Sequence, residues 1–352
     1  MTRRCLGMAL LVAGTSIGAG MLTMPLATAD NGFGYSMLMM CWMWSVMLVS
    51  ALCLVEVSLA LPEGTHLASM AEITLGRSGR IGVWVLYVAL LYALNVAYMD
   101  GLVSLIHSGA ESLVSKAMSG SVTLGMIIAI LMGLLAAGMR YIDYLNRYLV
   151  MGLVISYLFL VGQLVPSIHL SGLKHMAPAH LIESLPVLIV AFGFHIVIPS
   201  LRRYCAGNPQ LLVRSVIIGS VIPLICYSVW QAAILGVLPL EGAAGLHHLM
   251  HSTQPAADLA QALSVVVSGQ SIHVGAEFFA GFAMITSFLG VSLSLFDFFS
   301  DGCAHRHRLL KRLLPLCLTC IPPAVCAWVY PAGFLHALNY GGGCVALLLG
   351  II

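Results

Sequence analysis

Residues 13–20 read Ala13-Gly14-Thr15-Ser16-Ile17-Gly18-Ala19-Gly20 and are followed by Pro25, all inside one apolar run from about 6 to 29. A plain membrane anchor would fill this stretch with Leu and Ile, whereas glycines, hydroxyls and a proline weaken a helix at its middle. A second apolar run, near 184 to 201, carries Phe192-Gly193-Phe194-His195, with Pro186 before it and Pro199 after. Each run predicts a helix interrupted at mid-membrane. Backbone freed from helical bonds at that depth is tolerated only where it lines a cavity or is buried in protein. Exposed half-helix N-termini then bind an anionic group and unwound carbonyls bind a cation, an arrangement used by membrane transporters. Small residues packing helices closely is the competing reading of either run alone. Two interrupted runs in matching positions, half a chain apart, favour the transporter reading.

The rest of the 352-residue chain agrees with a membrane setting: 60% of residues are hydrophobic and 8% charged, and the mean hydropathy is +1.01. Soluble domains carry about 25% charged residues, so a soluble enzyme, a nucleic-acid binder and a disordered tail are excluded together. Apolar runs of about twenty residues match helical spans, whereas membrane β-barrels show stretches of about ten residues with alternating polarity. Ten spans are predicted, near 6–29, 34–61, 81–106, 121–139, 148–166, 184–201, 215–238, 273–299, 313–330 and 333–352.

Basic residues in short loops collect on the cytoplasmic side, and they test this map. Arg3, Arg4, Arg77, Arg80, Arg140, Arg147, Arg202, Arg203, Arg214, Arg306, Arg308, Lys311 and Arg312 fall at the N-terminus or in every second loop. Only Lys116 and Lys174 fall in the opposite set. The N-terminus is therefore read as cytoplasmic. The first run is longer than the roughly 7 to 15 residues of a secretory h-region, so it is read as a retained span. Five spans followed by five more give a single transporter domain over 1–352, with one repeat at about 6–166 and an inverted second at about 184–352.

The stretch Val12-Ala13-Gly14-Thr15-Ser16-Ile17-Gly18-Ala19-Gly20-Met21-Leu22-Thr23-Met24-Pro25-Leu26 closely resembles the opening of the bacterial aromatic amino acid permeases, the tyrosine- and tryptophan-specific transporters. Leu54-Val55-Glu56-Val57, Phe192-Gly193-Phe194-His195 with Pro199, Ile218-Gly219-Ser220-Val221-Ile222-Pro223-Leu224, Thr286-Ser287-Phe288-Leu289-Gly290 and Leu295-Phe296-Asp297 extend the resemblance in order along the chain. It implies an all-α, leucine-transporter-like 5+5 inverted repeat in the bacterial inner membrane. The implied activity is symport of one aromatic amino acid, with the tyrosine branch nearest, together with a proton. No cofactor or metal is implied. By position, Gly14, Thr15, Ser16, Ile17, Gly18, Ala19 and Gly20 would hold the substrate carboxylate, and Phe192, Gly193, Phe194 and His195 would meet its amine and side chain. Asn95 and Tyr98 of span 3 and Thr286 and Ser287 of span 8 would complete the walls. The family's eleventh span is expected to be absent, because the chain ends at Ile352 within an apolar run. Asp100 departs from the small uncharged residue expected there.

Ionisable residues inside a membrane are functional hypotheses by default, which singles out Glu56, Asp100, His195, Glu277 and Asp297 as candidates for proton coupling. An ion pair with Arg306 and Arg308 competes for Asp297. His195 has an imidazole that titrates near physiological pH, and Asp100 and Glu277 lie deeper on the map. His247, His248 and His251 read as a solvated loop, and residues 256–267 as a lid helix outside the spans. Sodium is the second-choice ion, with Thr286 and Ser287 as hydroxyl ligands, and a carrier of broader amino acid specificity is the companion alternative. Gly14-Thr15-Ser16-Ile17-Gly18 also spells G-x-S-x-G, but a serine hydrolase presents that motif on a strand-to-helix elbow, which a first membrane span does not supply. A channel would need a periodic polar stripe, which no span carries. The partners expected are the amino acid and the lipid bilayer, not nucleic acid, and no sequence feature sets an oligomeric state.

Overall fold

A computed structural model describes residues 3–351 apart from 63–64, 66, 114–118, 175, 178–179, 206–207, 243, 253–254, 268, 303–307 and 331–333. All ten predicted spans are helical over most of their described residues. The first is a bent pair, α1 (Arg3–Ser16) and α2 (Ala19–Ala27), and α3 (Gly32–Ala60), α4 (Leu67–Leu113), α5 (Gly120–Ala137) and α6 (Met139–Leu164) follow. The sixth is split into α7 (Leu185–Ala191), a 3-10 turn (Phe194–Val197) and α8 (Ile198–Tyr204). The remainder are α9 (Pro209–Val237), two short helices α10 (Leu246–Met250) and α11 (Pro255–Val266), then α12 (Gln270–Gly302), α13 (Arg308–Val329) and α14 (Phe334–Ile351). Among the described residues six helices are long and apolar enough to cross a bilayer, and the pair α1–α2, bent by 54°, makes a seventh. Pro186 and Pro199 both fall in the first turns of their helices, where a missing N–H leaves no bond unmade.

Helix α4 begins well before the predicted span, because the segment 67–80 is also helical, with a kink at Gly76 (φ 70°) inside it. A helix forms as α11 where one is expected at 256–267, and it buries Leu259, Ala260 and Leu263.

The chain divides into two compact units built from interleaved segments, each drawing on both halves of the sequence. Residues 1–90, 169–236 and 339–352 form the first, and residues 91–168 and 237–338 the second. In the first unit α9 runs beside α1 along its length. Ser215 Oγ lies 3.4 Å from the Cys5 carbonyl, and a Cβ on Gly219 would sit 2.6 Å from both the Ala9 carbonyl oxygen and Val12 Cβ. Only a residue without a side chain fits this approach. Gly219→Ala is therefore expected to cost about 1–3 kcal/mol through overpacking, read as a lower midpoint in thermal unfolding of the purified protein. Beneath this contact Val12, Leu54, Val55, Phe194, Ile198 and Val216 form a fully buried apolar cluster.

In the second unit α12 packs along α6, with Phe282 against Gly152 and Phe159 against Gly275. Tyr92 of α4 donates to the Leu318 carbonyl of α13 at 2.8 Å.

Candidate functional site

The first break lies between Ser16 and Ala19. The last bond of α1 runs from the Ile17 amide to the Ala13 carbonyl (2.9 Å), and α2 resumes with the Met21 amide on the Gly18 carbonyl (3.0 Å). The final carbonyls of α1 and the first amides of α2 thus lack helical partners at the break, as at any helix end. The hydroxyls of Thr15 and Ser16 fold back onto the Leu11 and Val12 carbonyls, at 2.6 and 3.4 Å, so Ser16 is not engaged with a histidine as a nucleophile would be. Gly14 is exposed, Ile17 half-buried, and Gly18 and Gly20 buried. Gly20 lies against Ala191, where a Cβ would meet the Ala191 Cα at 3.4 Å.

The second break follows Ala191. Phe192 and Gly193 leave helical geometry, and the Phe194 amide turns back to the Phe192 carbonyl at 3.0 Å. Phe192 and Phe194 are fully buried, and His195 is 7% exposed. Tyr227 of α9 connects the two breaks. Its hydroxyl lies 2.6 Å from the Ser16 carbonyl and 3.0 Å from the Ala191 carbonyl, so its single proton is shared between two released oxygens. The Phe192 ring packs edge-on against the Tyr227 ring, with centroids 5.3 Å apart. One turn further along α9, Gln231 Nε2 donates to Thr28 Oγ1 at 2.6 Å, just beyond the end of α2.

The expected residues of the two breaks do not all face one way. Phe192 lies beside Tyr227, whereas Phe194 enters the apolar cluster with α3. The His195 ring stacks on Phe194 and donates toward the Met47 backbone, and its other nitrogen has no hydrogen-bond partner. The side chain of Ala19 lies outside the described residues.

The second unit brings Asn95, Tyr98 and Ser287 together. Asn95 is fully buried; its Nδ2 donates to the Leu91 carbonyl at 3.0 Å and its Oδ1 accepts from Ser292 Oγ at 2.6 Å. Tyr98, three residues on, is hydrogen-bonded to Ser287. Two polar bridges therefore fix the register of α4 against α12. Ser292→Ala strands the Asn95 oxygen, and unfolding measurements are expected to show a loss of about 1–3 kcal/mol. Thr286 bonds back to Phe282 and Ala283 within its own helix.

The acidic candidates separate. Glu56 and Asp297 are exposed; Arg306 and the side chain of Arg308 lie outside the described residues. Glu277 is partly buried, with Oε1 3.4 Å from His273 Nε2. Asp100 lies two residues from Tyr98, about 200° around the helix, and lines a separate cavity with Ser121 and Trp328. His247 Nδ1 lies 3.3 Å from Glu241 Oε1.

Tyr227, Gln231 and Ser292 carry central bonds that the sequence reading did not single out. For the first two a signal existed, since Tyr227 and Gln231 are polar residues four apart, one helical turn, in a run whose other polar residues are small serines.

The sequence profile of the tryptophan/tyrosine permease family matches residues 1–352. The tyrosine-specific transport system 2 of Haemophilus influenzae is 32% identical, over 97% of this chain and 84% of the relative. The tryptophan-specific transport protein of Pseudomonas aeruginosa is 29% identical, over 96% of this chain and 82% of the relative. Among solved structures, a nucleobase-cation-symport-1 family transporter, closed with bromovinylhydantoin bound, superposes with a TM-score of 0.65 at 13% identity. That match covers 98% of this chain and 75% of the other. The fold is thus the leucine-transporter-like one, with its first and sixth spans interrupted.

Proposed function

The chain belongs to the tryptophan/tyrosine permease family, and on that premise we propose that it imports an aromatic amino acid, tyrosine foremost, across the bacterial inner membrane in symport with a proton. The observation that carries this reading is the pair of broken spans whose released carbonyls, on Ser16 and Ala191, share one Tyr227 hydroxyl. A break built this way offers both halves of a zwitterion a partner. The first amides of α2 suit a carboxylate, and released carbonyls suit an ammonium group. Phe192 supplies an aromatic wall beside them.

The working cycle is alternating access, with spans 1, 2, 6 and 7 moving against the remaining scaffold. The repeats are about 6–166 and 184–352, and the N-terminus is cytoplasmic, as the basic residues favour. Glu277 is the proposed proton carrier, because its partly buried carboxylate lies 3.4 Å from a second titratable group, His273.

The test is uptake of labelled tyrosine, tryptophan and phenylalanine by proteoliposomes under an inward proton gradient, a sodium gradient, or neither. Saturable accumulation under the proton gradient, highest for tyrosine, is the expected result. Accumulation under sodium alone would overturn the coupling, and no uptake by folded protein would overturn the carrier reading.

A further inference from the structure

Within the first unit a cavity of about 570 Å3 lies behind the second break. Its walls come from α3, the start of α4, the break itself and α14; Trp42, Leu54, Tyr87, Gly193, His195 and Leu348 define it. The volume is in the range of small-molecule sites, about 300–1,000 Å3. Its rim is formed by strongly exposed apolar side chains, Val49 at 61% and Trp42 at 57%, so in this membrane-spanning chain the opening suits entry from the hydrocarbon.

His195 gives the cavity its chemistry. The ring is buried, lines the cavity and donates toward the Met47 backbone, which leaves its other nitrogen without a hydrogen-bond partner. A neutral imidazole offers one donor and one acceptor, and leaving the acceptor unmade in an apolar surrounding is unfavourable. An acyl chain would fill the space but would not satisfy that nitrogen. A flat molecule with one polar hydrogen satisfies the acceptor nitrogen and stacks against the Trp42 and Tyr87 rings, in the preferred offset or edge-on geometries.

We propose that this cavity is a second binding site, distinct from the transport site, for a small neutral aromatic molecule of the indole or phenol class that enters from the bilayer and hydrogen-bonds to His195. A ligand there touches Gly193 and His195 and so holds one arrangement of the second break. The cavity and the His195 ring carry the proposal, and that this is a second site rests on the transport reading.

The experiment is fluorine NMR of 5-fluoroindole with the full chain in nanodiscs of phosphatidylethanolamine and phosphatidylglycerol. Saturable line broadening that persists in excess tyrosine is expected. His195→Phe should weaken binding about tenfold, the size of one lost hydrogen bond. Leu348→Trp, which fills the interior, should abolish it. Val49→Trp, at the exposed rim where added bulk does not overpack the core, should do the same and covers the case in which Leu348→Trp fails to fold. Undiminished binding in a folded filling variant, or displacement by tyrosine, would overturn the proposal. Binding in lipid-free detergent but not in nanodiscs would also overturn it, assigning the cavity to an acyl chain.

Discussion

Gly20→Leu is expected to lower tyrosine uptake by more than about a hundredfold, whereas Gly20→Ala loses less than about tenfold. The difference follows from one approach. A Cβ at Gly20 would meet the Ala191 Cα at 3.4 Å and its Cβ at 3.6 Å, ordinary van der Waals contact that alanine satisfies. Leucine adds three further carbons against the backbone where α7 ends, and overpacking of that kind costs up to about 3 kcal/mol. A penalty of this size at the first amides of α2 corresponds to about a hundredfold in rate or affinity. Gly7 in α1 provides the control. Nothing lies within 4 Å of its Cβ position, so Gly7→Ala should leave uptake at the wild-type level and raise helix propensity. Equal losses in Gly20→Ala and Gly20→Leu would show that the glycine serves backbone conformation, not the approach to α7.

The positions of the breaks were legible because they depend on local chemistry. Gly14, Gly18 and Gly20 weaken a helix wherever they occur, and Pro186 and Pro199 mark helix starts by their missing N–H. The span map was legible for a similar reason, since bilayer thickness sets the length of an apolar run. Side-chain direction was legible only in part. Asp100 stands two residues from Tyr98, a spacing that puts the two on opposite faces of a helix; Asp100 lines a cavity beside α5 and α13, and Tyr98 meets Ser287 of α12. The direction of His195 was not legible, because a residue leaving an irregular segment has no period to follow. Nor were the partners of Tyr227, which are backbone oxygens 211 and 36 residues away. A carbonyl carries no residue identity, so no motif records such a bond.

Tyr227→Phe tests that bond directly and is expected to raise the tyrosine KM about tenfold to a hundredfold while the protein stays folded. The substitution keeps the ring, and with it the edge-on contact to Phe192 at 5.3 Å. It removes one hydroxyl that lies within 3.0 Å of both the Ser16 and Ala191 carbonyls. Two buried oxygens then lose a shared donor, a change worth about 1–3 kcal/mol. Because these oxygens belong to the two unwound segments, the loss falls on the geometry that would receive the zwitterion and not on the apolar cluster around Leu54 and Phe194. Binding should therefore weaken more than Vmax falls. Gln231→Leu separates this role from general support of α9. The Gln231 amide nitrogen donates to Thr28 beyond the end of α2, so its loss should lower the unfolding midpoint with a KM change below about threefold, under 1 kcal/mol. A Tyr227→Phe protein with unchanged KM and a lowered unfolding midpoint would reduce Tyr227 to a packing residue. A raised KM with an unchanged midpoint would establish the hydroxyl as the link that holds the two breaks in binding register.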